Sequence, residues 1–331
     1  MHVPSLATSL PAAEVRAAHQ SESLAPKVAI LLTTRCAQRF LAPQLESLEG
    51  QTHTHWDLWA SDDGSDDDTA LILQHFRTKW RGRWQMTLQR GPLRGFAANF
   101  LSLVTRDEIQ ADYYAYCDHD DIWEPWKLER ALQWLADVPS EIPALYCSRT
   151  RLIDAHGRHI GYSPLFKREP GFSNALVQSI GGGNTMVFND ATRKLLMNVG
   201  SGLDVVSHDW WTYMAVTGCG GQVRYDSTPG VRYRQHDSNM VGSNAGWSAR
   251  ARRMRMILRG RYRSWHTRNL EALEHLRPFL TPESRRLVDQ FNALRHQPMP
   301  DRLTGLRRCG LYRQTGWGTL GLYAAAFLNR L

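Results

Sequence analysis

The residues Tyr113-Tyr114-Ala115-Tyr116-Cys117-Asp118-His119-Asp120-Asp121-Ile122-Trp123 read as an apolar, aromatic strand running into three acids, with a helix over Trp126 to Leu135 to follow. Carboxylates packed that closely repel one another and are costly to hold together unless a cation sits between them. A hard divalent metal is one explanation. An acidic surface turn capping the following helix is the other, because Asp suits both turns and helix N-termini. The rest of the chain has to separate the two.

Upstream, Lys27 to Thr34 (KVAILLTT) is a compact aliphatic run of the kind buried on both faces of a parallel sheet. A helical pattern over Phe40 to Leu48 follows, then a strand over Trp56 to Ala60 that ends in Ser61-Asp62-Asp63-Gly64-Ser65-Asp66-Asp67-Asp68-Thr69. Next come a helix over Thr69 to Trp80, a strand near Trp84 to Gln89, a Gly/Pro/Arg loop over Arg90 to Gly95 and a helix over Phe96 to Thr105. Strand and helix alternate through short connections, which predicts right-handed crossovers and a mostly parallel, Rossmann-like α/β sheet flanked by helices. Ligands of such sheets bind beyond the C-terminal strand ends, where both acidic clusters lie. Asp63, inside a turn that Gly64 makes permissive, is placed to reach a nucleobase edge or a ribose hydroxyl. Asp66 to Asp68 read instead as the opening of the next helix. Two acidic strand ends on one sheet edge suggest a nucleotide diphosphate held through metal.

The 331 residues suffice for one large α/β domain with an appendage, or for two domains. With 42% hydrophobic and 22% charged residues, wholesale disorder is excluded. A net charge of +8 and a pI near 9.4 predict attraction to anions, among them nucleotides, pyrophosphates, nucleic acid or an anionic membrane face. The five cysteines (Cys36, Cys117, Cys147, Cys219, Cys309) are scattered and form no CxxC pair, which argues against a disulfide framework or a zinc site and fits a reducing cytosol. Residues 1–26, rich in Ala, Ser and Pro, read as a loose tail without the apolar core of a signal peptide. No run approaches the roughly 18 to 20 apolar residues of a spanning helix.

Downstream the elements shorten. The pattern gives a strand over Leu145 to Leu152, a Gly-rich passage over Ser179 to Phe188, a helix over Asp190 to Val199, and Ser207-His208-Asp209-Trp210-Trp211 opening a helix over Trp210 to Gly218. A strand near Val223 to Tyr225 and then Val231-Arg232-Tyr233-Arg234-Gln235-His236-Asp237-Ser238-Asn239 complete it.

In order and spacing, KVAILLTT, WASDDGSDDDT, GPLRGFAANF, YAYCDHDDIW, SHDWW and RYRQHDSN resemble family 2 glycosyltransferases of the GT-A fold, and in detail the bacterial rhamnosyltransferase branch, over about residues 27 to 245. The pattern departs at Thr34-Arg35-Cys36, where the family usually has an aromatic residue and Asn; Arg35 offers a contact to the base there instead. The resemblance implies that Thr33 and Asp63 contact the nucleoside, that Arg94 lies near ribose or phosphate, and that Asp118 faces ribose and metal with Asp120 the firmer ligand of Mg²⁺ or Mn²⁺. It leaves Asp121 between ligand and loop brace. It matches Asp209 to the catalytic base of an inverting transfer and His236 to a metal or diphosphate contact, with Arg234 beside the diphosphate. Without it, Asp209 reads as an N-cap and His236 as a hydrogen-bonded histidine between strand and loop. Trp210 and Trp211 are expected to wall the sugar, and Asn184 and Thr185 to offer it hydrogen bonds; Gly181 to Thr185 read otherwise as a plain strand-entry turn.

Residues 27–123 are thus expected to form a nucleotide-binding half, 124–245 an acceptor half, and 246–331 a basic helical extension. Within it, 247–276 interleaves arginines with apolar residues, which suits either peripheral docking at the inner face of the cell membrane or a solvated helix covering the sheet. The expected function is transfer of a sugar, best fitted by L-rhamnose from dTDP-rhamnose, to a glycan acceptor, a lipid-pyrophosphate-linked one among the candidates, in O-antigen or other surface polysaccharide synthesis in the cytoplasm. A metal-dependent nucleotidyltransferase also needs acids on an α/β sheet, but has no evident use for SHDWW. A basic nucleic-acid-binding protein leaves the acidic strand ends unexplained, and no nucleic-acid partner is expected.

Overall fold

The computed structural model describes residues 25–236 and 261–331. Nine strands form a single sheet: β1 (Val28–Thr34), β2 (Trp56–Asp62), β3 (Met86–Arg90), β4 (Tyr113–Cys117), β5 (Ile122–Trp123), β6 (Ala144–Ile153), β7 (His159–Tyr162), β8 (Val187–Asn189) and β9 (Gln222–Arg234). Their order is β3-β2-β1-β4-β8-β6-β9-β5, with β7 on β6. The helices in chain order are α1 (Leu41–Glu49), α2 (Thr69–Lys79), α3 (Phe96–Val104), α4 (Lys127–Leu135), α5 (Phe172–Ala175), α6 (Asp190–Val199), α7 (His208–Gly218), α8 (Arg261–Leu276), α9 (Pro282–Leu294), α10 (Asp301–Arg308) and α11 (Gly316–Phe327).

Every residue of β1 is buried, as its unbroken aliphatic run requires of a strand covered on both faces. β1 pairs in parallel with β2 and β4, and β2 with β3, through crossover helices. The register sets Thr34 opposite Asp62, Asp62 opposite Arg90 and Leu32 opposite Cys117, so all four strands end along one edge. The α/β architecture expected for this half is therefore present.

Beyond β4 the sheet turns mixed: β8 runs antiparallel to β4 and β6, and only β6 with β9 restores a parallel pair. The sequence suggests two strands near Val223–Tyr225 and from Val231, but β9 is one long strand that crosses Pro229-Gly230 at an irregularity in its pairing with β6. Two-residue β5, too short to leave a periodic signal, pairs antiparallel with β9 and closes the acid turn between β4 and β5 against the end of that strand. Asp237 to Asn239 of the RYRQHDSN block lie outside the described residues.

Of the basic stretch 247–276, residues 247–260 lie outside the described residues. The rest, α8, buries Tyr262, His266, Leu270, Leu273 and Leu276, and its apolar members join residues of β1, β4, α7, α9 and α11 in one continuous core. This portion covers the fold, the second of the two roles open to it. Among the described residues no helix is long and apolar enough to cross a membrane.

Candidate active site

The crevice lies where β1, β2 and β4 end. The main-chain N–H of Asp63 donates to the Thr34 carbonyl at 2.9 Å, extending the β1–β2 pairing by one residue into the loop. Asp62 closes its own turn, accepting from the Ser65 N–H at 2.9 Å and from the Thr34 hydroxyl at 2.8 Å. Asp63 turns the other way. Its Oδ1 accepts from the Leu93 N–H at 2.6 Å and its Oδ2 from the Gly95 N–H at 2.9 Å. Arg94, exposed, is therefore presented by the two amides that flank it. The clamp needs glycine at position 91, where a Cβ would stand 2.7 Å from Asp63 Oδ1 and 2.8 Å from Asn99 Oδ1. Thr33 is buried at the end of β1, and Arg35 is exposed in the loop beyond it. In the acidic loop Asp67, not the N-cap residue Asp68, binds the start of α2, through the N–H of Thr69 at 3.0 Å.

The acid turn divides its carboxylates between two tasks. Asp121 is fully buried: Oδ1 accepts from the Arg234 N–H at 3.0 Å and Oδ2 from the Asn184 side-chain amide. Of its two expected roles it holds the bracing one. Asp120 Oδ2 lies 2.8 Å from His236 Nε2, so residues 116 positions apart meet at one point. Asp118 is half-buried, and burial with the charges of Asp120 and Asp209 pushes its carboxyl up to about 8. Burial raises the Asp209 carboxyl as well, against hydrogen bonds from the Ser207 hydroxyl and the N–H groups of Trp210 and Gly183. The helix N-cap is Ser207, and Asp209 sits in the first turn, where its Oδ1 accepts from the Trp210 N–H at 2.7 Å.

Four expected pocket residues lie below the surface. Asn184, Thr185, Trp210 and Trp211 are all 5% exposed or less. The amide of Asn184 donates to Asp121, and the Thr185 hydroxyl to the Gly182 carbonyl at 2.8 Å within its own turn. The Trp210 indole donates to the Ala175 carbonyl at 2.6 Å and packs edge-on to Trp265 of α8. These side chains form floor and core. Arg234 is buried as well: its Nε donates to the Asp120 carbonyl at 3.0 Å and its Nη1 to the carbonyls of Asp154 and Ala155, with only 4% of the residue exposed. It holds the acid turn in place, where an open diphosphate contact was expected.

Lys127 escaped the sequence reading. It opens α4 on the stripe shared with Ala131 and Leu135, fully buried, its Nζ 3.1 Å from the centroid of Trp123. Burial lowers the ammonium to about 7, offset by Cys117, Asp121 and Asp118. The signal was a lysine on the apolar face of a helix, six residues after the acid cluster. His208 also went unremarked: its ring stacks on Phe100 at 3.8 Å and lies where a Cβ on Gly183 would have to go.

With Asp121 engaged, the oxygen and nitrogen donors left at the turn are Asp118, Asp120 and His236. No group of three such residues among those described encloses a common point. Their chemistry fits Mg²⁺ or Mn²⁺ held by one or two carboxylates, with substrate phosphate oxygens and water completing the shell.

The model of the family described as glycosyl transferase family 2 matches residues 29–196. Among curated proteins, the dTDP-rhamnosyl transferase RfbG of Shigella flexneri is 25% identical over 254 residues, 73% of this chain and 84% of that protein. The putative teichuronic acid biosynthesis glycosyltransferase TuaG of Bacillus subtilis (strain 168) is 27% identical over 112 residues, 34% of this chain and 43% of its own. Among solved structures, residues 1–349 of S. aureus TarS in complex with UDP-GlcNAc align with a TM-score of 0.53 at 14% identity, covering 92% of this chain and 89% of that one, a likeness of fold.

Proposed function

The chain belongs to glycosyl transferase family 2 and is a glycosyltransferase with the GT-A architecture, and from that premise we propose that it transfers L-rhamnose from dTDP-rhamnose to a glycan acceptor with inversion, using Mg²⁺ or Mn²⁺. The nucleotidyltransferase and nucleic-acid-binding alternatives fall away with the family. The likeness to RfbG supports the donor, and a role in O-antigen or related surface polysaccharide synthesis follows as part of the same proposal. Residues 27–123 would hold the donor nucleotide, 124–245 the acceptor, and 246–331 would support them as a helical extension.

The observation that carries the proposal is the meeting of Asp120 and His236, 2.8 Å apart, at the turn that follows β4, beside the edge where β1, β2 and β4 end, the side on which such sheets bind ligands. The nucleoside would lie over Thr33 and Arg35, with Arg94 at its ribose or phosphates. Asp63 would serve it through the clamped Leu93–Gly95 loop. The diphosphate would come down on Asp118, Asp120 and His236. A divalent cation bound there would neutralise the departing diphosphate as a Lewis acid. Asp209, its basicity raised by burial, would take the proton of the acceptor hydroxyl as that oxygen attacks the anomeric carbon opposite the leaving diphosphate, a contribution of about 10² to 10⁴-fold.

The proposal is tested by thermal shift against a panel of nucleotide sugars with and without Mn²⁺. The largest stabilisation is expected from dTDP-rhamnose with metal. Stabilisation by a different nucleotide sugar alone overturns the donor assignment, and stabilisation by none overturns the site.

A further inference from the structure

The terminal helix α11 has the sequence GWGTLGLYAAAF and carries no charged side chain. Leu322, Ala325 and Ala326 bury its inner face, which packs against α10. Helical periodicity sets Trp317, Leu320, Ala324, Phe327 and Leu328 together on the other side. That side faces outward: Trp317 is 74% exposed, Leu320 59%, Phe327 58% and Leu328 43%. Scattered surface leucines need no explanation, but a helix whose entire outer stripe is large and apolar does.

The sequence that carries it, past Asp301 at the start of α10, is one-sided in charge. Residues 302–331 contain five arginines and no aspartate or glutamate. Arg307 and Arg308 stand exposed at the end of α10, before the helix, and Arg330 stands exposed just past it. An apolar stripe of Trp, Leu and Phe bracketed by arginines matches an anionic bilayer surface, where aromatic and aliphatic groups enter the headgroup boundary and guanidinium groups meet lipid phosphates. Twelve residues span about 18 Å, well short of the roughly 30 Å apolar layer of a bilayer, so the helix can lie along such a surface but not cross it.

We infer that the outer face of α11 docks the protein onto an anionic lipid surface, with Trp317, Leu320, Phe327 and Leu328 inserted and Arg307, Arg308 and Arg330 on the lipid phosphates. The contact lies on the helical end of the chain and stands independently of which sugar is transferred. It assigns to α11 a role that the sequence offered to 247–276.

The test uses the full chain and sedimentation with extruded vesicles. The wild type is expected to bind phosphatidylglycerol-containing vesicles at low salt, to bind less at high salt, and to ignore pure phosphatidylcholine. The double variant Leu320→Gln, Phe327→Gln, and separately Trp317→Ser, should each lower vesicle binding about tenfold or more, the double variant with an unchanged melting temperature because both side chains face outward. Arg307→Gln with Arg308→Gln should flatten the salt dependence. Failure of the wild type to bind at low salt overturns the inference, as does equal binding to phosphatidylcholine. Full binding by both apolar variants also overturns it. A wild-type dimer that Leu320→Gln, Phe327→Gln dissolves, without vesicle binding, assigns the face to a second copy of the chain instead.

Discussion

Asp121 Oδ1 accepts the main-chain N–H of Arg234 at 3.0 Å, joining the acid turn after β4 to the end of β9 across 113 residues of sequence. The same carboxylate accepts from Asn184, so one buried side chain locks the turn, the strand-entry turn before β8 and the far end of the sheet. Asp121→Ala leaves both donors buried without acceptors and should lower unfolding free energy by about 2 to 5 kcal/mol. Urea unfolding measures it. A loss under about 0.5 kcal/mol, the range of ordinary surface changes, would contradict the bracing role.

The loop clamp predicts a separable effect on donor binding. Gly91→Ala would drive a Cβ into Asp63 Oδ1 and Asn99 Oδ1, and overpacking of this kind costs about 1 to 3 kcal/mol. Arg94→Ala removes only the exposed side chain and should weaken nucleotide-sugar binding about tenfold while leaving the melting temperature in place. Calorimetric titration of both variants distinguishes a damaged loop from a lost contact. Unaltered affinity in Arg94→Ala would remove that residue from the site.

Acid stability follows from two buried histidines. Burial lowers both His208 and His266 to about 3 from an ordinary value of 6.5. Between those values the unfolded chain binds protons that the folded chain refuses, so folding stability rises with pH across that window and is lost as pH falls through it. Unfolding free energy measured from pH 7 to pH 4 should decline steeply, and His208→Phe should flatten the decline. A variant with the wild-type pH slope would show that His208 does not titrate on unfolding.

Metal removal tests the turn from another side. Chelation should abolish transfer, with Mg²⁺ or Mn²⁺ restoring it. His236→Ala should raise the metal concentration needed for half-restoration about 10 to 100-fold, since Asp120 loses the partner that orients it. Full activity in chelator would sink the proposed cation.

What could be read from the sequence divides by the range of the interactions involved. The unbroken β1 run, its alternation with helices and the two acidic strand ends are local patterns, and the parallel half of the sheet follows them closely. The meeting of Asp120 with His236 joins a strand end to a residue 116 positions away, a contact for which the sequence offered only the family pattern. The floor could not be read this way. Asn184 and Thr185 are turned inward by hydrogen bonds, one of them across 63 residues, that leave no periodic trace. Trp210 and Trp211 are buried by packing against distant elements, Ala175 and Trp265 for Trp210, which the local SHDWW pattern does not carry. Lys127 gave no signal of its own at a helix start, and only the packing of α4 shows its amine against Trp123.

The central claim is that Asp209 is the base while the acid turn holds the donor. The most direct test pairs a transfer assay with donor titration on Asp209→Asn, which preserves shape but cannot take the proton. Transfer should fall about 10² to 10⁴-fold with nucleotide-sugar affinity unchanged. Transfer at the wild-type rate would contradict the account.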